Sequence, residues 1–368
     1  MKVPYTAFRI KNEPIRQKLV QAFEQVIDSG RYIQGPHCAA FEQEFAAFCD
    51  TPYASGTSNG TDSLHLILRA VGIGPGDEVI TAPNSFIASA SSIALTGAKP
   101  VFVDVCEDLN IDPSKIEAAI NSRTKAIIPV HLAGRPAKMD EVNQIAHKHN
   151  LFVLEDAAQS VGAMLQGRRV GSWGDAASFS LHPLKNLHAF GDAGIITTKD
   201  SKLIELFKIG KNHGLKNRDQ CDFWSFNCRL DELQAALLRV QLQELELWTQ
   251  ERRELAFRYN EFLKPFVKVP EEGKDEYHVY QTYVIQAERR NELQKFLRDN
   301  GVEALVHYPT PIHMQPAAAE LKYLPEDFPV TLKLSKQIMS LPLYPGLTQE
   351  QQDIVIELIS DFYQNSNK

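Results

Sequence analysis

Cysteine is scarce: five in 368 residues, Cys38, Cys49, Cys106, Cys221 and Cys228, with no CxxC pair and no histidine at metal-ligand spacing. That argues against a disulfide framework or a metal site, and reduced, mostly buried thiols are expected. Long apolar runs are missing too. No stretch approaches the ~20 residues that span a bilayer, and the opening MKVPYTAFRIKNEPIRQ lacks the apolar core of a secretory leader. The expected location is therefore the cytoplasm, with no membrane partner. Positive charge is not in excess either, because 39 Lys and Arg stand against 46 Asp and Glu. A nucleic-acid surface needs a basic patch to displace counterions, so DNA and RNA are not expected partners. Internal repeats and low-complexity segments are also absent.

What is present is ordinary globular chemistry, 43% apolar and 23% charged, in a chain longer than one small core usually carries. One large domain and a smaller one are expected. IRQKLVQAFEQVIDSG puts Ile15, Leu19, Phe23, Val26 and Ile27 on one helical face and stops at Gly30. Helical and strand patterns then alternate as far as LFVLED, and the strands EVITA, PVFVDV, KAIIPVHL and LFVLED are apolar nearly throughout. Such a pattern predicts crossover units around a buried, mostly parallel sheet. Two further strands, ASFSL and AGIITT, bracket a loop that carries Lys185. From Asp231 a helical pattern runs for about 30 residues, long enough to connect two domains. Beyond it come a strand at YQTYVIQA, a helix at NELQKFLRDNG, a strand at VEALVHY and helices at TLKLSKQIMS and TQEQQDIVIELISDFY, an α+β unit.

Asp156 closes the strand LFVLED, and Lys185 follows 29 residues later at another strand end, so both side chains can enter one cleft. An amine and a carboxylate there suit pyridoxal phosphate (PLP), whose Schiff base needs a lysine and whose ring nitrogen needs an acid. Taken singly, Asp156 is equally a helix cap and Lys185 a solvated lysine. A phosphate site is available in SGTSNGTDSLHLIL, where Ser58, Asn59, Gly60 and Thr61 precede a helix whose free N–H groups attract anions. An ordinary cap by Ser58 or Asn59 explains the same residues. Ser180 adds a hydroxyl, and Phe86 stands at a strand-to-helix turn where its ring can stack on a flat cofactor or pack in the core.

Six stretches, NGTDSLHL, PNSFIAS, EDAAQSVGA, SFSLHPLKNLHAFGDAG, NCRLDELQAALL and HYPTPIHMQP, resemble in order and spacing the nucleotide-sugar aminotransferases of the DegT/DnrJ/StrS type. Those enzymes belong to PLP fold type I, the aspartate aminotransferase superfamily. The resemblance implies a large domain over residues 1–245, with a central mostly parallel seven-stranded sheet, and a smaller α+β domain over 246–368. It implies that Lys185 is the catalytic residue bonded to the cofactor's aldehyde, that Asp156 pairs with the pyridine nitrogen, and that Gln159 bonds the phenolic oxygen. Gly60, Thr61 and Ser180 would hold the phosphate, Phe86 the ring, and Asn227 the phosphate of a neighbouring subunit, making an obligate homodimer with shared sites. Arg229 is placed to grip a carboxylate of the amino donor, and Tyr32, His307, Tyr308 and His313 fall in the substrate-side loops. The implied reaction moves an amine from L-glutamate, through pyridoxamine phosphate, to a keto sugar linked to dTDP or UDP. HPLKNLxxxGDxG with SGRYIxGP upstream is more similar to members that aminate a 3-keto sugar. A 4-keto sugar or keto-cyclitol aminotransferase, and a non-catalytic sensor of the same fold, remain open. His188 stands where the family often has glycine. Related dehydratases carry histidine where Lys185 stands, so dehydration is disfavoured. Lys211 serves as a comparison, a surface lysine without a role.

Overall fold

The computed structural model describes residues 2–7, 10 and 12–365. Two helices come first, α1 (Glu13–Ser29) and α2 (Pro36–Phe48). Asn12 caps α1 by accepting the Ile15 N–H at 3.2 Å, and Gly30 ends it at φ 61°, a conformation glycine adopts at little cost. The buried face of α1 is Ile15, Leu19, Ala22 and Val26. Phe23 and Ile27, expected on that face, are instead 43% and 51% exposed. With Val20 they form a second apolar stripe at i, i+3 and i+7, which the expectation of one wide face merged with the first.

Next come β1 (Tyr53–Thr57), α3 (Gly60–Ala70), β2 (Glu78–Thr81), α4 (Ala88–Ala94), β3 (Lys99–Phe102), α5 (Pro113–Ala119), β4 (Thr124–Ile128), α6 (Met139–His149), β5 (Phe152–Asp156), β6 (Ala176–Ser180), β7 (Gly194–Thr198) and α7 (Ser201–Gly210). The seven strands form one sheet in the order β1-β7-β6-β5-β4-β2-β3. Strands β2 to β6 run parallel, and β7 lies antiparallel between β6 and β1. Alternate residues face opposite layers. Ile80, Ile127 and Val153 pack with Ile116 of α5 and Val142 of α6, while Val79, Ile128 and Leu154 pack with Leu64 of α3 and Phe207 of α7. Each such buried side chain contributes ~1.5–3 kcal/mol, so burial on both faces fixes the register.

Beyond α7 lie α8 (Glu232–Leu242), α9 (Leu245–Leu263), β8 (Tyr283–Gln286), α10 (Arg290–Asp299), α11 (Pro329–Gln337), β9 (Ile338–Leu341) and α12 (Gln349–Asn365). The expected 30-residue helix is therefore two, interrupted at Gln243 and Glu244. One straight rod cannot serve both cores, because α8 packs on α1 and α2 whereas α9 packs on α12. The expected helix TLKLSKQIMS ends early, and its last residues become β9, which pairs antiparallel with β8. Ile338, Met339, Ser340 and Leu341 are all buried there, and Arg290 Nη1 donates to the Ile338 carbonyl at 2.9 Å. VEALVHY makes no ladder, only single bridges from Val302 to Val3 and from Leu305 to Ser340. Through that bridge Val3 joins the core of Tyr259, Tyr283 and Leu297. Among the described residues no helix is long and apolar enough to cross a membrane.

Candidate active site

The sheet's pairing places the chemistry at the carboxyl ends of the central strands β5 and β6. Asp156 pairs with Ser178, and Ser180 at the end of β6 pairs with Gly194, which also faces Thr57 at the end of β1. A side chain on Gly194 would meet the Asn59 carbonyl at 2.5 Å, so its absence lets the N-terminus of α3 close on the sheet. Asn59 caps that helix by accepting the Asp62 N–H at 2.8 Å. Gly60 and Thr61 then open the helix, and their N–H groups have no acceptor in a preceding turn. A Cβ on Gly60 would lie 2.8 Å from that of Ser180, so strand and helix touch where an anion can be held.

Lys185 sits on the loop between β6 and β7. Leu181 N–H donates to the Ala193 carbonyl, and Ala189 N–H to that of Leu181, at 2.8 and 2.7 Å. Asn186 Nδ2 donates to the Val161 carbonyl at 2.7 Å, and Leu187 is fully buried, so the residues beside Lys185 are pinned. Its own amine makes no hydrogen bond or ion pair among the described residues. Burial pushes that amine down to about 8, against the pull of Asp156 toward the charged form.

Asp156 is 5% exposed and accepts from Ser89 Oγ at 2.6 Å and from the Ala158 N–H at 3.2 Å. Ser89, on α4, is in turn bonded by Ser85 Oγ at 2.9 Å. The neighbouring Glu155 points to the other face of the sheet. It accepts from His131 Nε2 and from the N–H groups of Gly171, Trp173 and Gly174, all within 3.0 Å. Burial alone would raise the Glu155 pKa, but the His131 bond and the backbone donors hold it below the usual carboxylate range. The Ala137 N–H bonds His131 Nδ1, which leaves the proton on Nε2. This anchored carboxylate fixes the strand that presents Asp156.

Gln159 accepts the Ala133 N–H at 2.8 Å and donates toward Tyr308 Oη at 3.4 Å. The Tyr308 ring lies 5.7 Å from that of Phe86, which is 52% exposed. Burial raises the Tyr308 pKa, with Asp156 adding to the effect. His307 is pushed down to about 4 by burial and by Lys185, and its Nδ1 lies 2.9 Å from Ser340 Oγ. Lys185 borders two spaces, one of about 90 Å³ with Gln159, Tyr308 and His307, and one of about 420 Å³ with His188 and Trp248.

The remaining expected residues lie elsewhere in a single chain. His313 is buried in an aromatic cluster, 4.7 Å from the Phe328 ring, and lines neither space. Arg229 donates to Asn212 Oδ1 at 2.9 Å and lines neither space, while Asn227 and Tyr32 face solvent. Lys211 is not a surface lysine: it is 7% exposed, with Nζ 2.7 Å from Glu42 and 3.1 Å from the Gly56 carbonyl. Ser89, His131, Tyr5 and Arg252 stand outside the residues expected from the sequence. Ser89 had a signal, lying one helical turn beyond Ser85 in PNSFIAS. So did Arg252, a cation on the buried face of α9 with Ala256, Tyr259 and Leu263.

The donor set fits PLP: an unpaired desolvated amine, a fixed buried acid, a glutamine, an exposed ring and, against a serine, a helix start whose Gly60 and Thr61 N–H groups are free. No group of three or more His, Cys, Asp or Glu among the described residues is placed to hold a metal ion.

Known proteins resemble the chain along its whole length. The profile of the DegT/DnrJ/EryC1/StrS aminotransferase family matches residues 13–360. A protein of Geobacillus stearothermophilus named pleiotropic regulatory protein is 42% identical over 99% of this chain and 100% of its own. The dTDP-3-amino-3,4,6-trideoxy-alpha-D-glucose transaminase of Streptomyces venezuelae is 40% identical, over 98% of this chain and 96% of its own. The crystal structure of DesV from S. venezuelae in complex with a ketimine intermediate superposes with a TM-score of 0.95 at 40% identity, covering 98% of each chain.

Proposed function

The chain belongs to the DegT/DnrJ/EryC1/StrS aminotransferase family, and from that premise we propose that it transfers the amine of L-glutamate to the 3-keto carbon of a deoxysugar linked to dTDP or UDP. The observation that carries the reading is the gathering of Lys185, Asp156, Gln159 and the Gly60–Ser180 contact at the carboxyl ends of the central strands β5 and β6. The family's enzymes use PLP, which, when bound, withdraws electrons from the carbon that bears the migrating amine. The 3-keto assignment is supported by the named activity of the S. venezuelae relative.

Each residue then has a task. The α3 N-terminus at Gly60 and Thr61, with Ser180, holds the phosphate, joined by Asn227 of a second copy. Asp156, anchored by Ser89, keeps a proton on the ring nitrogen, and Gln159 orients the phenolic oxygen while Phe86 covers the ring. Lys185 Nζ would take the proton from the donor's α-carbon and deliver it two atoms away, on the far side of the migrating nitrogen. An amine near pKa 8 suits that exchange, since both protonation states are populated close to neutral pH. Tyr308 closes the wall above Gln159 on the substrate side.

Two measurements test the reading. Borohydride reduction followed by peptide mapping is expected to leave a pyridoxyl group on Lys185, and its absence there removes the catalytic assignment. Incubation with glutamate and a panel of 3-keto and 4-keto nucleotide sugars, followed by mass, is expected to yield amino sugars from the 3-keto set. Preference for a 4-keto sugar or a free cyclitol overturns the substrate, and no absorbance change with any donor favours the sensor.

A further inference from the structure

Two adjacent arginines on α9 are treated in opposite ways. Arg253 is paired with both carboxylate oxygens of Glu272, and its guanidinium lies 3.9 Å from the Tyr277 ring centre. Arg252 is 9% exposed, and no Asp or Glu among the described residues is within ion-pair distance of it. Its Nη1 donates to the carbonyls of Tyr280 at 3.3 Å and Leu343 at 3.0 Å. Its Nε is buried without an acceptor, and Nη2 donates to none of the described residues. Burial lowers its pKa to about 10, so it stays charged at neutral pH. A buried cation without a counter-charge is costly, and the cost falls when an anion arrives.

Both spaces that Lys185 borders are also bordered by Arg252. The imidazoles of His188 and His307 beside them are pushed to about 4 by burial and are neutral; Glu251 borders the larger space, so only in the smaller one does the guanidinium stand beside Lys185 with no carboxylate. Nε and Nη2 form one edge of the planar fork, the edge that matches the two oxygens of a carboxylate. The space shared with Lys185, Tyr5, Gln159 and His307 measures about 90 Å³, the room of a small acid's end rather than of a nucleotide. Drug-sized ligands occupy at least ~300 Å³.

We infer that Arg252 receives a carboxylate of the amino donor in the space it shares with Lys185. The inference rests on the transaminase reading but not on the identity of the sugar. It also gives this chain its own donor-side cation, a task expected of Arg229, which is turned to Asn212.

The test uses holoenzyme carrying Arg252→Gln or Arg252→Lys. L-glutamate is titrated in single turnover by cofactor absorbance; glutarate, which cannot be deaminated, and dTDP or UDP are titrated by calorimetry. Arg252→Gln is expected to weaken glutamate and glutarate by on the order of 10- to 100-fold while nucleotide affinity stays within about twofold. Arg252→Lys, which keeps the charge and loses the fork, is expected to fall between. Unchanged glutarate and glutamate affinity in a folded variant overturns the inference, and so does a loss that falls on the nucleotide. Should Arg252→Gln not fold, Arg252→Lys decides on the same criteria. Glutamate turnover without amination of any nucleotide sugar instead refutes the substrate reading and leaves Arg252 in place.

Discussion

At Lys185 the protein holds an amine where charge is unwelcome. Its pKa of about 8 lies below the ordinary lysine value, so between those two points the unfolded chain binds a proton that the folded chain does not. Folding therefore carries the full cost of the buried ammonium below pH 8, and the cost fades as pH rises toward ~10.4. Lys185→Met removes it. The cofactor-free variant is expected to melt above the cofactor-free parent at pH 7, with the gap closing between pH 8 and 10, which calorimetry at stepped pH measures. A gap that widens with pH refutes the desolvation account. Lys185→Ala in the holoenzyme is expected to lose ~10³-fold or more in turnover while remaining folded. The exposed Lys202 replaces Lys211 as the inert comparison, since Lys211 is itself tied to Glu42 and the Gly56 carbonyl.

At the scale of elements, the α3 N-terminus depends on a missing side chain. Gly60→Ala would put a methyl group 2.8 Å from the Ser180 Cβ, and neither a sheet strand nor a helix start yields easily. The expected result is ~1–3 kcal/mol of lost stability and a PLP dissociation constant raised at least ~10-fold, read from thermal melts and cofactor titration. Unchanged PLP affinity would falsify the proposed phosphate cradle. The same element shows what the sequence could reveal. SLHLILRA announces a helix by its apolar period, and the Val- and Ile-rich strands announce themselves by composition. β1 went unread because YASGT has no apolar run; Ser55 and Thr57 are buried by their neighbours rather than by hydrophobicity. β9 went unread because TLKLSKQIMS keeps a helical period past the point where β8 captures it. Lys185, Asp156 and Ser180 were legible because each ends or follows a recognisable strand, whereas Arg252 becomes meaningful only once α9 turns it toward Lys185. The proposed domain boundary at 245/246 falls at the start of α9, where the packing partner changes from α1 and α2 to α12.

At the scale of the whole molecule, Val20 and Phe23 border a shallow space with Phe190, and the exposed Ile27 continues their stripe along α1. Asn227 is also exposed, away from its own chain's Lys185 spaces. We propose that a second copy of the chain covers the stripe and receives Asn227 at its phosphate site. Phe23→Asp is then expected to shift the protein toward monomer in sedimentation and to lower activity with it. Complementation separates a shared site from mere contact. Lys185→Ala and Asn227→Ala are each expected to be inactive or nearly so alone. In a mixed dimer one site carries both lesions, but the other combines an intact Lys185 from one subunit with an intact Asn227 from its neighbour. Random reassociation of equal amounts makes half the dimers mixed, with one good site in two, so about a quarter of parental activity is expected to return. If Asn227 instead served its own chain, every site in the mixture would hold one lesion and no activity would return.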